Sequence, residues 1–226
     1  MTNVRRFLAV SSLAVLPLVG ACAGEDDDAL GGDRSDEVDE GGTQAPVTPA
    51  GFEVVEGDGV SIAVPGEWQG LDLTAGDIEA ILDEVESNNP EMADVLGSQA
   101  QALLSQGAVL FAIAPPEDDF SDNVNVIEVP GRVPSFDEME DQIEGIISSF
   151  GGELEDTSRV EVPAGAALRV LYSAEFAGAD GAPVAVQGVQ YYVVADDDLS
   201  YVVTVTLGSG GDPELADEIA GTFATT

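Results

Sequence analysis

Apolar residues follow a regular period only from Phe52 onward, and this boundary decides how much of the chain can fold. The stretch before it, residues 23–50, carries acidic runs and glycine pairs and has almost nothing to bury. A segment of that composition stays disordered and, because it is charged, extended. Residues 52–226 number about 175, enough for one domain that buries roughly 70% of its unfolded surface. We therefore predict a single globular domain that follows a tether.

The first 21 residues have the layout of a secretory signal peptide. Arg5 and Arg6 precede an apolar run, Phe7–Val19, that ends in small residues. The run is shorter than the roughly 20 residues needed to cross a bilayer core of about 30 Å, and Pro17 interrupts it. The arginine pair also invites a twin-arginine interpretation. The residues after the pair are displaced by one from the usual twin-arginine pattern, which favours general secretion.

A lipid anchor is predicted where the apolar run stops. A branched apolar residue, Leu18, and small residues precede Cys22, as in a lipobox. A lipobox implies cleavage between Ala21 and Cys22 and linkage of a diacylglyceryl group to the thiol. Each buried methylene contributes about 0.8 kcal/mol, so two or three acyl chains anchor a protein stably where one holds only marginally. The alternative is an ordinary signal peptide with a chance cysteine.

These features predict an anchor at the cell membrane on its extracytoplasmic side. The predicted organisation has three parts: a lipoprotein signal peptide at 1–21, a lipidated acidic tether at 22–51 and a globular domain at 52–226.

The inventory of reactive side chains excludes several kinds of enzyme. Cys22 is the only cysteine, and histidine is absent. Once its thiol is acylated, the mature chain has neither a disulfide nor a thiolate nucleophile. Serine-histidine triads, cysteine-histidine dyads and histidine-bound metals are excluded as well. We expect no catalytic residue, no metal site and no cofactor.

The chain carries 44 acidic residues against six arginines and no lysine. Removal of residues 1–21 takes away two arginines and no acid, so the mature net charge is −40. This charge disfavours nucleic acid and anionic lipid surfaces as partners. A saline habitat and a high-GC genome are alternative origins of the acidity.

Strands and helices alternate along the predicted domain. The pattern of Val60–Val64 predicts a strand, and two apolar stripes over about 75–88 and 90–104 predict a helical hairpin. Val109–Ala114 and Val124–Val129 are predicted strands.

The second half of the domain is predicted to hold one long helix and an antiparallel sheet. Ser135 and Glu138 form a capping box for a helix that Gly151 ends. One apolar stripe follows that helix: Phe136, Met139, Ile143, Ile146, Ile147 and Phe150. Val184–Val194 and Leu199–Leu207 are predicted to pair as a hairpin, and Asp212 caps a last helix.

The chain resembles the PsbP/Mog1-like superfamily and, within it, small lipoproteins of the actinobacterial type. The matching elements are the opening strand Val60–Pro65 running into Trp68, the segment Asp122–Val126 ahead of the long helix, the antiparallel meander and the closing helix near Phe223. The resemblance implies an α+β fold, an α/β/α sandwich with a central antiparallel sheet flanked by helices. It also implies members that bind proteins or lipids and do not turn over substrates.

Four aromatic residues are candidates for a ligand groove: Trp68, Tyr191, Tyr192 and Tyr201. An amphipathic aromatic side chain supplies contact area and one hydrogen-bonding atom. The alternative is that they belong to the core. The sequence thus favours a tethered binding module for an apolar ligand or an envelope protein partner.

Acidic residues give two further candidate sites. The loops Glu117–Asp122 and Asp196–Asp198 offer oxygen ligands for calcium, although neither has EF-hand spacing, and solvated turns are the alternative. A carboxylate pair such as Asp118 with Asp137 has the chemistry of a glycosidase. The alternative function is therefore a carboxylate-dependent hydrolase acting on an envelope or extracellular polymer.

Overall fold

The computed structural model describes most of the predicted domain: residues 47–71, 103, 105–115, 120–131, 134–177, 183–196 and 198–226. The predicted signal peptide, Cys22 and most of the tether lie outside the described residues. The predicted helical hairpin lies outside them too, apart from Leu103. In the described part of the chain, no helix is both long and apolar enough to span a membrane.

The fold is α+β and consists mostly of antiparallel sheet. The described strands are β1 (Phe52–Gly57), β2 (Val60–Pro65), β3 (Gln69–Leu71), β4 (Ala108–Ile113), β5 (Asn123–Pro130), β6 (Glu153–Val162), β7 (Gly165–Ala177), β8 (Pro183–Asp196), β9 (Leu199–Gly208) and β10 (Ala224–Thr225). The described helices are α1 (Phe136–Ser149) and α2 (Pro213–Ala220).

Two sheets contain these strands. The larger one has seven strands in the order β3-β4-β5-β9-β8-β7-β6, and the smaller one has the order β1-β2-β10. Every described pair of neighbouring strands is antiparallel. The predicted hairpin of β8 and β9 is confirmed, with Tyr191 opposite Val203 and Asp196 opposite Leu199.

Helix α1 forms where its capping box predicts. The hydroxyl of Ser135 accepts from the backbone N–H of Glu138, whose carboxylate accepts in return from the backbone N–H of Ser135 at 2.8 Å. The helix ends before Gly151, which has a φ of +85°, a left-handed conformation that favours glycine. Met139, Ile143 and Ile147 are buried, as the apolar stripe predicts.

Side chains pack in two clusters on opposite faces of the seven-stranded sheet. On the face that we call the α1 face, Ile143 and Ile147 pack with Leu168 and Val170. On the other, the α2 face, residues of α2 and β2 pack with alternate residues of the central strands, such as Ile219 with Val203. Because adjacent strand residues point to opposite faces, both faces of the central strands are buried.

Candidate functional site

The four aromatic residues predicted to line one groove lie on two faces of the sheet. Trp68, Tyr191 and Tyr201 belong to the cluster on the α2 face, with 8%, 2% and 4% of their surface exposed. Tyr192 belongs to the cluster on the α1 face. Consecutive residues of a strand point in opposite directions, so Tyr191 and Tyr192 do not share a surface. The structure thus separates Tyr192 from the other three, in place of the predicted groove lined by all four.

The two tyrosines of the α2 face make contacts within the core. The Tyr191 hydroxyl donates to a carboxylate oxygen of Asp217 at 2.5 Å. Burial, together with that carboxylate, raises the pKa of Tyr191. The ring of Tyr201 meets Phe223 edge to face, with 5.5 Å between ring centroids, and burial raises the pKa of Tyr201. These contacts hold α2 and the end of the chain against the sheet.

The predicted carboxylate pair cannot be assembled from the described residues, because Asp118 lies outside them. Its proposed partner, Asp137, has a side chain that is 84% exposed and forms an ion pair with Arg159. Arg159 also donates to Glu140 at 2.9 Å, and this hydrogen bond holds the pKa of the Glu140 carboxyl below its usual range. Asp137 thus takes part in a contact between α1 and β6.

The two predicted calcium loops are described only in part. In the first, an Asp122 carboxylate oxygen accepts from the backbone N–H of Gly208 at 2.7 Å. In the second, an Asp196 carboxylate oxygen accepts from the backbone N–H of Asp198 at 2.9 Å. No group of three or more potential metal ligands comes together among the described residues. The Asp196 carboxylate thus stabilises its own turn, as aspartate commonly does, whereas the Asp122 carboxylate joins its loop to the end of β9.

Buried polar side chains gather on the α1 face, and we call this set the polar patch. Its members are Asn123 and Asn125 on β5, Tyr172 on β7, Gln190 on β8, and Thr204 and Thr206 on β9. Each is less than 5% exposed. On β5 and β9 the polar residues alternate with valines, which pack on the α2 face.

Strand register places the members of the polar patch side by side. Asn125 lies opposite Thr204, and Thr204 lies opposite Gln190. In the adjacent row, Asn123 lies opposite Thr206. Directly paired residues share a face, and neighbouring strands are about 4.8 Å apart, so these side chains are within reach of one another.

Glycine at position 188 lets Tyr172 join the polar patch. Gly188 lies between Thr206 and Tyr172 in the strand pairing. A Cβ added there would be 2.2 Å from the Tyr172 hydroxyl oxygen and 2.0 Å from its Cζ. The phenol and its hydroxyl therefore lie directly over the backbone of β8. Any residue with a Cβ at position 188 would clash with the Tyr172 ring, so the arrangement requires glycine.

Part of the polar patch is joined by hydrogen bonds. The Tyr192 hydroxyl donates to the side-chain oxygen of Gln190 at 3.0 Å. The Gln190 amide donates in turn to the Thr204 hydroxyl at 3.3 Å. At the β5 end, the Asn123 amide donates to the backbone carbonyl of Ser121 at 3.2 Å. The first two bonds link Tyr192, Gln190 and Thr204 in one chain of hydrogen bonds, and the third orients Asn123.

Four buried atoms in and beside the polar patch have no hydrogen-bond partner among the described residues. They are the hydroxyl oxygens of Ser121, Tyr172 and Thr206 and the side-chain oxygen of Asn125. An unpaired buried polar group costs about 1–3 kcal/mol, and native proteins contain few of them. Four such atoms in and beside the polar patch are therefore a candidate site for a ligand that supplies the missing partners.

The candidate site is uncharged. The buried polar side chains among the described residues are those of serine, threonine, asparagine and glutamine, with the tyrosines beside them. Burial raises the pKa of Tyr172, and the nearby Tyr192 adds to the shift. Burial also raises the pKa of Tyr192. Both phenols thus stay protonated at neutral pH and can donate hydrogen bonds.

The polar patch is not predicted by the sequence, although the alternation of its residues with valine is visible there. Asn123 and Asn125 belong to the segment Asp122–Val126, which carries part of the family resemblance. In an antiparallel sheet, polar residues at every second position usually mark the solvated face. Burial of both faces, which the sequence pattern does not reveal, turns the same alternation into a polar set inside the core.

No family model matches the chain, and neither does any curated protein. Solved structures are similar to it only distantly. A Bacteroides thetaiotaomicron protein is 11% identical, with a TM-score of 0.41 over 74% of this chain and 45% of that one. This chain therefore spans less than half the length of that protein.

Two further solved structures are similar at the same level. Cyanobacterial PsbP (CyanoP) from Synechocystis is 14% identical, with a TM-score of 0.43 over 80% of this chain and 95% of that one. LpqN of Mycobacterium tuberculosis, described as involved in cell envelope biogenesis, is 12% identical. Its TM-score is 0.43 over 80% of this chain and 89% of LpqN. Likenesses of this size assign no function to this chain, so function has to be inferred from the site.

Proposed function

We propose that this chain is an extracytoplasmic lipoprotein, anchored through Cys22, whose domain binds a ligand at the polar patch and does not catalyse a reaction. In this proposal, helices flank the central sheet as in the α/β/α sandwich that the sequence predicts. The acidic tether holds the domain away from the lipid surface. The observation that carries the binding role is the group of four buried, unpaired polar atoms in and beside the polar patch.

The chemistry of the polar patch supports binding. General acid–base catalysis uses a group whose pKa lies near the working pH. The patch is built from amides and hydroxyls, and the pKa of Tyr172 and of Tyr192 is raised by burial. Such groups form hydrogen bonds to a ligand without exchanging protons with it at neutral pH. The surrounding apolar residues exclude water, which strengthens those bonds.

The anchor is tested by membrane fractionation of Cys22→Ala. We expect this variant to leave the membrane fraction after a carbonate wash, because the acyl chains are the membrane-seeking group in the proposal. Ser35→Ala, a small change in the same acidic stretch, is the control and should stay in the membrane fraction. Retention of Cys22→Ala in washed membranes would contradict the anchor.

The binding role is tested by a matched pair of threonines on β9. Thr204 and Thr206 lie two residues apart on the same face, and both are fully buried. The Thr204 hydroxyl accepts from Gln190, whereas that of Thr206 is unpaired among the described residues. Thr204→Val should lower the free energy of unfolding by about 1–3 kcal/mol, because it leaves a buried amide unsatisfied. Thr206→Val should leave that free energy unchanged or raise it.

Urea unfolding of the ligand-free protein measures both effects. If Thr206→Val costs as much as Thr204→Val, the Thr206 hydroxyl already has a partner in the free protein, such as an ordered water. The polar patch would then be part of the fold, and the proposed ligand site would be wrong.

A further inference from the structure

The unpaired atoms of the polar patch specify the hydrogen-bonding chemistry of a ligand. The hydroxyls of Ser121, Tyr172 and Thr206 each donate one hydrogen bond and can accept others, and the Asn125 oxygen accepts. A ligand group that both donates and accepts satisfies this set better than a group that does only one. Hydroxyl, amide and carboxylic acid groups meet that requirement when they are uncharged.

Burial disfavours a charged head group at this position. An ion taken out of water needs an opposite charge close by, and the described buried polar side chains are all neutral. An anion would also enter a domain with 35 acidic residues against three arginines over residues 52–226. Arg159 and Arg169 are both engaged in ion pairs with aspartates of the helices.

The surroundings of the unpaired atoms are apolar. Phe111 lies directly opposite Asn125 in the β4–β5 pairing, and Ile113 lies opposite Asn123. Both belong to the α1-face cluster or pack against it, together with Phe120 and Ile127. A ligand whose head reaches the patch therefore has its body among aliphatic and aromatic side chains, which favour an apolar chain or ring.

We propose that the polar patch binds an uncharged amphipathic molecule, an inference that rests on the proposed binding role. Its neutral hydroxyl or amide head forms hydrogen bonds with Tyr172, Thr206 and Asn125, and its apolar body packs against the α1-face cluster. The glycine at position 188 determines specificity, because it lets the Tyr172 phenol reach over β8 toward the head group.

A series of eight-carbon probes with different heads tests the ligand class. We expect 1-octanol to raise the thermal midpoint of the full chain, whereas octanoate and octylammonium at equal concentration leave it unchanged at neutral pH. The shift with 1-octanol should be lost in Thr206→Val and in Tyr172→Phe, each of which removes one unpaired hydroxyl. Thr222→Val, a buried threonine on the other side of the sheet whose hydroxyl is paired, should keep it.

The outcomes separate the ligand class from the binding role itself. If octanoate or octylammonium binds and Thr206→Val abolishes that binding, the site is real and the uncharged class is wrong. If 1-octanol shifts wild type and all three variants equally, it binds elsewhere, and the inference is wrong. If no probe shifts the midpoint and Thr206→Val is as destabilising as Thr204→Val, the proposed function fails together with the inference.

Discussion

The Tyr172 ring occupies the space where a side chain at Gly188 would lie, and this gives a prediction opposite to the usual rule for glycine. Alanine normally stabilises a strand or helix relative to glycine by about 0.5–1 kcal/mol. At Gly188 the added methyl would be 2.2 Å from the Tyr172 hydroxyl oxygen, so the buried ring must move. We expect Gly188→Ala to cost about 1–3 kcal/mol, the usual range for overpacking.

Gly145 on α1 is the matched control, because an added Cβ there meets nothing within 4 Å. Gly145→Ala should stabilise the protein by about 0.5–1 kcal/mol. Urea unfolding measures both changes. A neutral or stabilising Gly188→Ala would show that Tyr172 does not cross β8 where the structure places it.

For single residues, burial could be predicted from the sequence better than the hydrogen-bond partners of the buried side chains. The burial of Trp68, Tyr191 and Tyr201 in one cluster agrees with the alternative in which they are core residues. The direction of Tyr192 follows from its adjacency to Tyr191 in a strand. The unpaired state of Thr206 beside the paired Thr204 could not be predicted, because it depends on contacts between strands distant in sequence.

An ion pair adds to the apolar packing of helix α2 on the sheet. The Arg169 guanidinium, on β7, donates to Asp217 at 2.6 and 3.2 Å, and only 12% of the arginine side chain is exposed. Tyr191 donates to the same carboxylate. We expect Asp217→Asn to lower the free energy of unfolding by about 1.5–3 kcal/mol, the range for hydrogen bonds to charged groups.

Glu218→Gln, the neighbouring exposed position on α2, is the control and should change that free energy by no more than about 0.5 kcal/mol. Chemical denaturation of both variants at the same salt concentration makes the comparison. Equal effects would mean that removal of one negative charge, and not loss of the contact with Arg169, determines the result.

Helices and strands could be predicted well where the residues that determine them are close together in the sequence. Helix α1 has a capping box, an apolar stripe and a terminal glycine, and each of these acts within a few residues. Strands β1, β3 and β10 were not predicted. β1 mixes exposed valine with glutamate, and β3 and β10 have three and two residues. β3 and β10 pair with strands that are distant in sequence, as β10 does with β2, whereas β1 pairs with the adjacent β2.

Buried tyrosines make the whole molecule sensitive to alkali. Burial raises the pKa of Tyr172, Tyr191 and Tyr192, whereas an unfolded tyrosine ionises near pH 10. Above about pH 10 the native state therefore binds more protons than the unfolded state, so stability is complete below that pH and falls above it. The expected slope is about 1.4 kcal/mol per pH unit for each tyrosine.

Unfolding free energies from about pH 8 to pH 12 test this slope. Tyr192→Phe removes one ionising group and should make the fall less steep. If more than one of the four tyrosines ionises near pH 10 in the native protein, as tyrosinate absorbance reports, these three phenols are not all buried as the structure places them.

Net charge opposes folding of the whole domain. Over residues 52–226, 35 acidic residues face three arginines, a net charge of −32. Folding brings these charges closer together, so added salt should stabilise the domain, most steeply at low ionic strength. Thermal midpoints in sodium chloride from about 0.02 to 2 M test this, and a flat or falling curve would contradict it. This property could be predicted from composition alone, because it depends on charge number more than on position.

The most direct test of the binding role is mass spectrometry of what the protein retains from its own membrane. The full chain is extracted in mild detergent as wild type and as Thr206→Val, and small molecules are released by denaturation. We predict an uncharged amphipathic molecule that is present at stoichiometric level with wild type and depleted with Thr206→Val. Identical extracts from the two proteins would contradict a ligand site at the polar patch.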